Sequence, residues 1–429
     1  MTQPPAVVRA AAIAAEIPAH DLPRLRRRMR WVLFAVAALG STGYIAAVTV
    51  GTLVAAELSG GAALGGLPTT TTTIGTATAA SLIALVMLRW GRRLGLLLGL
   101  AVGVLGGAIV LVSVIAESIP LLLLGSALTG FANAAGNLGR YIAADMASPE
   151  RRASAIGLVV WGTTVGAVIG PNLTAPAGAV AVWFGLPELA GSYGLTVLFI
   201  GLAWVVAAVL LRPEPYALAD PSALPTATDQ HGRVASLPAI LARPSVAVAL
   251  VTLVAAQVVM VLIMTMTPLH LMDHGHGLAT VGFVLSAHTF GMFGLSPITG
   301  RLTDRFGSPI VIAAGLIGLA FAALLSALAP PDGGLLLTLA LFLLGFGWNL
   351  CFVAASSLVS VGLSLAERTR VQGIADALTW GTAAFASLSS GLVVAYGSFT
   401  LLGFVGIALT AIPAVFLAFQ GRRLRPAGA

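Results

Sequence analysis

Gly300-Arg301-Leu302-Thr303-Asp304-Arg305-Phe306-Gly307 stands between two stretches without Asp, Glu, Lys or Arg, roughly 279–299 and 309–328. Each of those stretches is about 20 residues long, the length at which a helix crosses the hydrocarbon core of a bilayer. Two arginines and an aspartate confined to eight residues between such runs read as a short loop at a membrane surface. The fold then depends on how many runs the chain contains and which way each one points.

Hydrophobic residues make up 58% of the 429 positions and charged residues 9%. A soluble domain solvates its surface with about a quarter charged residues, so this composition excludes one. Working outward from the loop, the sequence holds twelve apolar runs, at 31–54, 67–88, 94–116, 120–142, 155–176, 191–211, 246–269, 279–300, 309–328, 336–363, 371–395 and 399–419. Lipid offers the backbone no hydrogen-bond partner, so each span must be a helix. The expected fold class is an all-α polytopic membrane protein with twelve transmembrane helices.

The 22 basic residues are all arginine. In this topology they fall on one side only: the N-terminal arm (Arg9, Arg24 to Arg30), Arg89 to Arg93, Arg140 to Arg152, Arg212 to Arg243, Arg301 and Arg305, Arg368 and Arg370, and the tail. The positive-inside rule therefore places both termini in the cytoplasm of a multi-pass protein of the cytoplasmic membrane. A miscounted span would invert every later loop, so the alternation also supports twelve. The net charge of +7 is thus read as topology, and no nucleic-acid partner is expected. The basic arm before the first run is too unlike a cleaved signal peptide, because the run is long and the remainder equally apolar. The lone cysteine, Cys351, excludes an intramolecular disulfide.

A Pro-rich polar stretch, 212–245, divides the chain into six spans and six. The expected organisation is an arm (1–30), an N-terminal half (31–211), this linker, a C-terminal half (246–420) and a tail (421–429). The halves echo each other loosely. Pro149-Glu150-Arg151-Arg152 leads to Trp161-Gly162-Thr163 in span 5, and Glu367-Arg368 leads to Trp380-Gly381-Thr382 in span 11.

On these features the chain resembles the major facilitator superfamily, whose parallel repeat has two six-helix halves. Gly300, Leu302, Asp304, Arg305 and Gly307 match its G-x-L-x-D-R-x-G loop motif. The first-half counterpart, Leu88-Arg89-Trp90-Gly91-Arg92-Arg93, has leucine where the family usually has aspartate. Gly166, Gly170 and Pro171 in span 5 are similar to the G-x-x-x-G-P motif of many exporters in the family, whereas span 4 has Gly125-Ser126 where other members carry a membrane arginine. The resemblance implies alternating access, with these motifs as gating elements. Physically, small residues four apart allow close helix approach, and Asp304 at a helix end suits the N-terminus of span 5, near Arg151 or Arg152.

Five of the nine methionines lie between 260 and 292, where a uniform spread would put fewer than one, and four of the six histidines join them. No carboxylate sits at mid-depth of a span, and His288 is the mid-membrane ionisable residue. Met260 and His288 are expected at similar depth on consecutive helices, roughly 13–14 Å below the outer boundary. Met264 and Met292 follow four residues after each, on the same helix faces. Thioether and imidazole together suit Cu(I), while methionine is also a common gap-filler in cores. His270, Met272, His274 and His276 would collect metal at the entrance.

Met260-x-x-x-Met264 followed by His288-x-x-x-Met292 resembles the paired motifs of the CcoA-like copper importers, a bacterial branch of the same superfamily. That resemblance implies copper as substrate, with Met260, Met264, His288 and Met292 as ligands. The branch also includes riboflavin importers, so the alternative stays open: a proton-coupled carrier of a small organic molecule such as riboflavin or a hydrophobic drug. Cavity candidates for such a substrate are Thr42, Tyr44, Thr69 to Thr73, Asn133, Asn137, Trp161, Trp348 and Asn349. No catalytic constellation points to an enzyme and no resident cofactor is expected. The expected partners are the lipid bilayer and the substrate, with the chain acting as a monomer.

Overall fold

The computed structural model describes residues 5–59, 66–219, 236–275, 278–330 and 334–421. Its helices, in chain order, are α1 (Pro5–Glu16), α2 (Leu22–Ser59), α3 (Leu67–Trp90), α4 (Arg92–Ile115), α5 (Ile119–Asp145), α6 (Arg152–Trp183), α7 (Ala190–Leu210) and α8 (Leu237–Leu241). They continue with α9 (Pro244–Asp273), α10 (Leu278–Thr289), α11 (Ser296–Phe306), α12 (Ser308–Leu328), α13 (Gly334–Leu358), α14 (Leu365–Tyr396) and α15 (Phe399–Gly421). Among the described residues no strand occurs.

Eleven of these helices are long and apolar enough to cross a bilayer, and the bent pair 280–294 and 296–306 makes a twelfth. The protein is all-α and polytopic, with the helices where the apolar runs are. The ends differ from the runs because helices extend into polar flanks that hydropathy ignores. Helix α2 starts at Leu22 and so takes in the arginine cluster, and α1 gives the arm a helix of its own.

Span 8 is broken for a legible reason. Pro297 has no N–H to give the carbonyl of Phe293, its partner one turn earlier. Ser296 supplies the missing donor, its hydroxyl reaching Phe293 O at 2.8 Å. The chain widens into a π turn over Phe290–Gly294, bends by 40° and restarts as α11.

Two compact units emerge. The first comprises Met1–Ser148, Gly162–Val234 and Leu363–Trp380, and the second Pro149–Trp161, Ala235–Gly362 and Gly381–Ala429. The start of α6 thus groups with the second unit and the start of α14 with the first. In the first unit, Val50, Val54, Val110, Val114, Leu122 and Tyr193 form a core shared by α2, α4, α5 and α7. In the second, α12 packs on α13 and α15, and α9 packs on α13 and α15.

The linker's beginning is far from a solvated loop. Tyr216 and Leu218 are fully buried, and Ala6 and Ala10 of α1 pack with Tyr216, Ala217, Ala219 and Leu365. Arg26 donates to the carbonyls of Leu218 and Ala219 at 2.9 Å each. Glu214 accepts from the backbone N–H of Arg92 at 2.6 Å and caps α4. The joint it fills requires Gly91, whose φ is 110° and whose absent Cβ would lie 2.8 Å from the Glu214 carboxyl. Burial pushes the Glu214 carboxyl up from its usual range, opposed by the amides of Arg92 and Arg93.

Candidate functional site

In the second unit, the soft-ligand residues sit on α9, on α10 and in the π turn that follows α10. Met260 on α9 is buried, while Met264 and Met292 are half-buried. His288 is buried on α10, and its Nδ1 lies 2.8 Å from the carbonyl oxygen of Leu341 on α13. A carbonyl only accepts, so that contact fixes the proton on Nδ1 and leaves Nε2 as a bare acceptor. Nε2 is buried and has no hydrogen-bond partner among the described residues.

The ring's hydrogen bond thus goes to α13, not to the helix that bears Met260 and Met264. Helix α10 also packs mainly on α13 and only slightly on α9. Close approach there depends on Gly345, because a Cβ on it would fall 2.3 Å from the carbonyl oxygen of His288. Helix α9 runs on to Asp273, thirteen residues past Met260, while His288 lies ten residues after the start of α10. Among the described residues, no group of three His, Cys, Asp or Glu side chains is arranged to hold a metal ion. Thioethers fall outside that donor set.

Of the entrance residues, His270 stacks on Phe399 with centroids 4.1 Å apart. The Nδ1 of His274 lies 2.7 Å from the carbonyl of His270, and Met272 is exposed. His276 lies outside the described residues.

One turn before Met260, the sequence reading passed over Gln257. Its Oε1 accepts from the indole N–H of Trp348 at 2.8 Å, joining α9 to α13. Phe293 meets that indole edge-on at 5.8 Å and Phe352 stacks on it at 4.4 Å. The result is an aromatic cluster with one internal hydrogen bond, in which Trp348, Phe352 and Gln257 are buried and Phe293 is half-buried. Asn349, one residue on, is engaged structurally. It donates to Met292 O at 2.6 Å and to Ser296 Oγ at 2.7 Å, and accepts from Thr299 at 2.6 Å, so it fills the break in span 8.

The first unit holds a polar ladder on one face of α5. Asn133 donates to Thr76 at 3.4 Å, Asn137 to Asn133 at 3.3 Å, and Arg140 to the carbonyl of Asn137 at 2.6 Å. The ladder ends in a two-pronged ion pair, Arg140 to Asp376 at 2.5 and 3.2 Å, with the Tyr141 hydroxyl at 3.4 Å. A second buried pair joins Arg92 to Asp145 at 2.5 Å, and Arg92 also donates to Gln372 at 2.6 Å. The sequence reads the arginines of the loops and helix ends as topology markers. Arg92, Arg140, Arg152 and Arg368 are instead buried; distant carboxylates meet three of them, Asp145 at Arg92 and Arg368 and Asp376 at Arg140. Tyr44 is half-buried and Trp161 is 38% exposed. The hydroxyls of Thr70 to Thr73 return to carbonyls of their own helix one turn earlier.

At the motif loop, Asp304 accepts from the backbone N–H groups of Ala153 and Ser154 at 2.9 Å each. It therefore caps α6 where the helix dipole favours negative charge. Gly300 lies against Ala153 and Ser154, and Gly307, at φ 85°, turns α11 into α12. Arg305 is exposed, with its guanidinium over the Phe306 ring. Gly166 and Gly170 pack against Ser41, Thr42 and Ile45 of α2, and Pro171 lies inside α6.

Comparisons with known proteins agree with this architecture. Residues 31–387 and 248–428 match the Major Facilitator Superfamily profile. The chain is 37% identical over 387 residues to the Bacillus subtilis (strain 168) protein named uncharacterized MFS-type transporter YddS, covering 89% of this chain and 88% of that one. It is 31% identical over 410 residues to the riboflavin transporter RfnT of Brucella anthropi, covering 94% and 97%. Its fold is similar to the crystal structure of the human organic anion transporter MFSD10, with TM-score 0.73, 17% identity and coverage of 91% and 99%. With its twelve helical spans and a profile match over nearly its whole length, the chain belongs to the Major Facilitator Superfamily of membrane transporters.

Proposed function

We propose that the protein is a secondary-active transporter of the cytoplasmic membrane that carries a small organic molecule with a planar aromatic ring, by alternating access. Riboflavin is the leading candidate. The observation that carries this reading is the Trp348 cluster, with its indole held by Gln257 and flanked by Phe293 and Phe352. The similarity to a riboflavin transporter over 94% of the chain supports the same substrate class. The half-buried Asn133 and Asn137, continuous with the Arg140–Asp376 pair, supply polar groups for the substrate's heteroatoms. Both termini face the cytoplasm in this reading, on the side where the arginines gather. Asp304 at the N-terminus of α6 acts as a latch: opening on that side requires α6 and α11 to part. Gly300, Arg305 and Gly307 shape that joint, and Gly166, Gly170 and Pro171 let α6 move against α2. The protein works as a monomer and catalyses no covalent step.

A second reading is copper import of the CcoA-like kind, with Met260, Met264, His288 and Met292 as ligands and His270, Met272, His274 and His276 at the entrance. One observation favours it: the buried Nε2 of His288, its tautomer fixed and its lone pair unpartnered.

Uptake of labelled riboflavin and labelled copper, measured side by side in cells expressing the protein, separates the two. The expected result is riboflavin uptake that is lost in Trp348→Ala and in Gln257→Ala, with copper uptake no higher than in cells lacking the protein. Copper accumulation that collapses in Met260→Ala and His288→Ala, with riboflavin uptake at background, would reverse the order.

A further inference from the structure

We propose that the groove between α2 and α7, at their arginine-bearing ends, binds an anionic phospholipid through its headgroup phosphate and upper acyl chain. The groove has a volume of about 490 Å³, with a rim formed by Arg24, Arg27, Arg28 and Trp31. Its walls are apolar: Val32 and Ala35 from α2, Val206 and Leu210 from α7. Positions 24, 28, 31 and 35 recur at helical spacing, so one face of α2 presents charge first, then indole, then hydrocarbon. That order is the order of a phospholipid from headgroup to chain.

The arginines differ in what they already hold. Arg26 is committed to the carbonyls of Leu218 and Ala219. Arg28 is anchored at the end of α7, donating to Leu210 O and Arg212 O at 3.0 Å each. Arg24 and Arg27 are exposed and make no hydrogen bond or ion pair among the described residues. The nearest carboxylate along the helix, Asp21, lies 3.5 Å from His20. Two unspent guanidiniums beside a third that is fixed in place form a fork for phosphate oxygens.

The surroundings identify the phosphate's source. Val205 and Val209 of α7 are 48% and 60% exposed beside the groove, as lipid-facing residues are. Trp31, 50% exposed, has the amphipathic ring that settles at headgroup level. A soluble anion would make no use of Val32, Ala35 and Val206, whereas an acyl chain covers them. The attraction of basic residues to an anionic leaflet completes the match. This inference is independent of the transported substrate.

The test uses the full-length protein in nanodiscs of neutral phosphatidylcholine, into which phosphatidylglycerol brominated near the headgroup is titrated. Quenching of Trp31 is read as the difference between the wild-type protein and Trp31→Phe. Half-quenching is expected at a lower mole fraction of brominated phosphatidylglycerol than of brominated phosphatidylcholine. Arg24→Gln and Arg27→Gln should each raise that mole fraction about fivefold at low salt, whereas Arg301→Gln should leave it unchanged. The two separate substitutions keep the test readable if one of them fails to fold. Equal quenching by the two lipids, or no response to either substitution, overturns the proposal. Displacement of the lipid by inorganic phosphate would make this a soluble-anion site and overturn it too.

Discussion

Asn349 on α13 donates its side-chain amide to the backbone carbonyl of Met292, 2.6 Å away, in the π turn that interrupts span 8. A broken helix inside a membrane frees backbone groups that lipid cannot satisfy, so a neighbouring helix must do so. Asn349 does this for the Met292 carbonyl and also bonds the side-chain hydroxyls of Ser296 and Thr299. Replacing it with leucine removes all three contacts, and the Ser296 hydroxyl keeps its bond to Phe293 O. Asn349→Leu is expected to lose about 1–3 kcal/mol of stability, read as a lower unfolding midpoint in detergent. A variant as stable as wild type would mean that the break satisfies itself.

The Arg140–Asp376 pair is buried on both sides, each side chain about 2% exposed. Removing one partner strands a charge, at a cost of about 3–5 kcal/mol, while replacing both with apolar residues is often nearly neutral. Asp376→Leu and Arg140→Leu should each unfold at markedly lower temperature, and the double variant should recover most of the loss. Transport should fail in all three if the ladder from Asn133 conveys substrate or proton. Additive damage in the double variant would show that the two charges are not coupled and that each loss has its own cause.

Asp304 reaches two backbone N–H groups with its two carboxylate oxygens. Asparagine keeps one acceptor and loses the charge that favours the α6 N-terminus. Asp304→Asn is expected to weaken the cap by about 1 kcal/mol and Asp304→Ala by somewhat more. The latch can be read directly, because the one native thiol, Cys351, is buried. In a Cys351→Ala background, a cysteine at position 154 should react faster with an impermeant maleimide in both variants. Unchanged labelling would reduce Asp304 to a helix cap with no gating role.

Gly345 admits the carbonyl of His288 to a distance no side chain tolerates. Gly345→Ala should push α10 from α13, loosen the bond from His288 to Leu341 and cost about 1–3 kcal/mol. Thermal unfolding measures the first effect. Loss of uptake without loss of folded protein would show that the position of His288 matters for transport.

The spans and their number were legible in sequence because each rests on a local pattern, whereas the break in span 8 was not read from Pro297. About twenty apolar residues or an arginine-bearing loop signals itself without reference to the rest of the chain. The capping of α6 by Asp304 was within reach because a helix end attracts an anion on general grounds. The paired charges were not legible. Arg140 finds Asp376 across 236 positions and Arg92 finds Gln372 across 280, and nothing local marks either meeting. Gln257 escaped for a different reason: it stands in an apolar helix beside conspicuous methionines, and its use depends on an indole 91 positions away.

The buried start of the linker bears on how the protein can be divided. Glu214, Tyr216 and Leu218 are bonded into the helices that precede them, and Tyr216 also lies 2.5 Å from Thr369, hydroxyl to hydroxyl. A break in the gene just after Ala219 would keep the contacts to Arg26 and Arg92 within the first fragment and leave the Tyr216–Thr369 bond to join the two pieces. A break at Leu211 would strip α4 of its cap and hand Tyr216 to the wrong polypeptide. Co-expressed pieces cut at the later point should reassemble into a working transporter, and pieces cut at the earlier one should not.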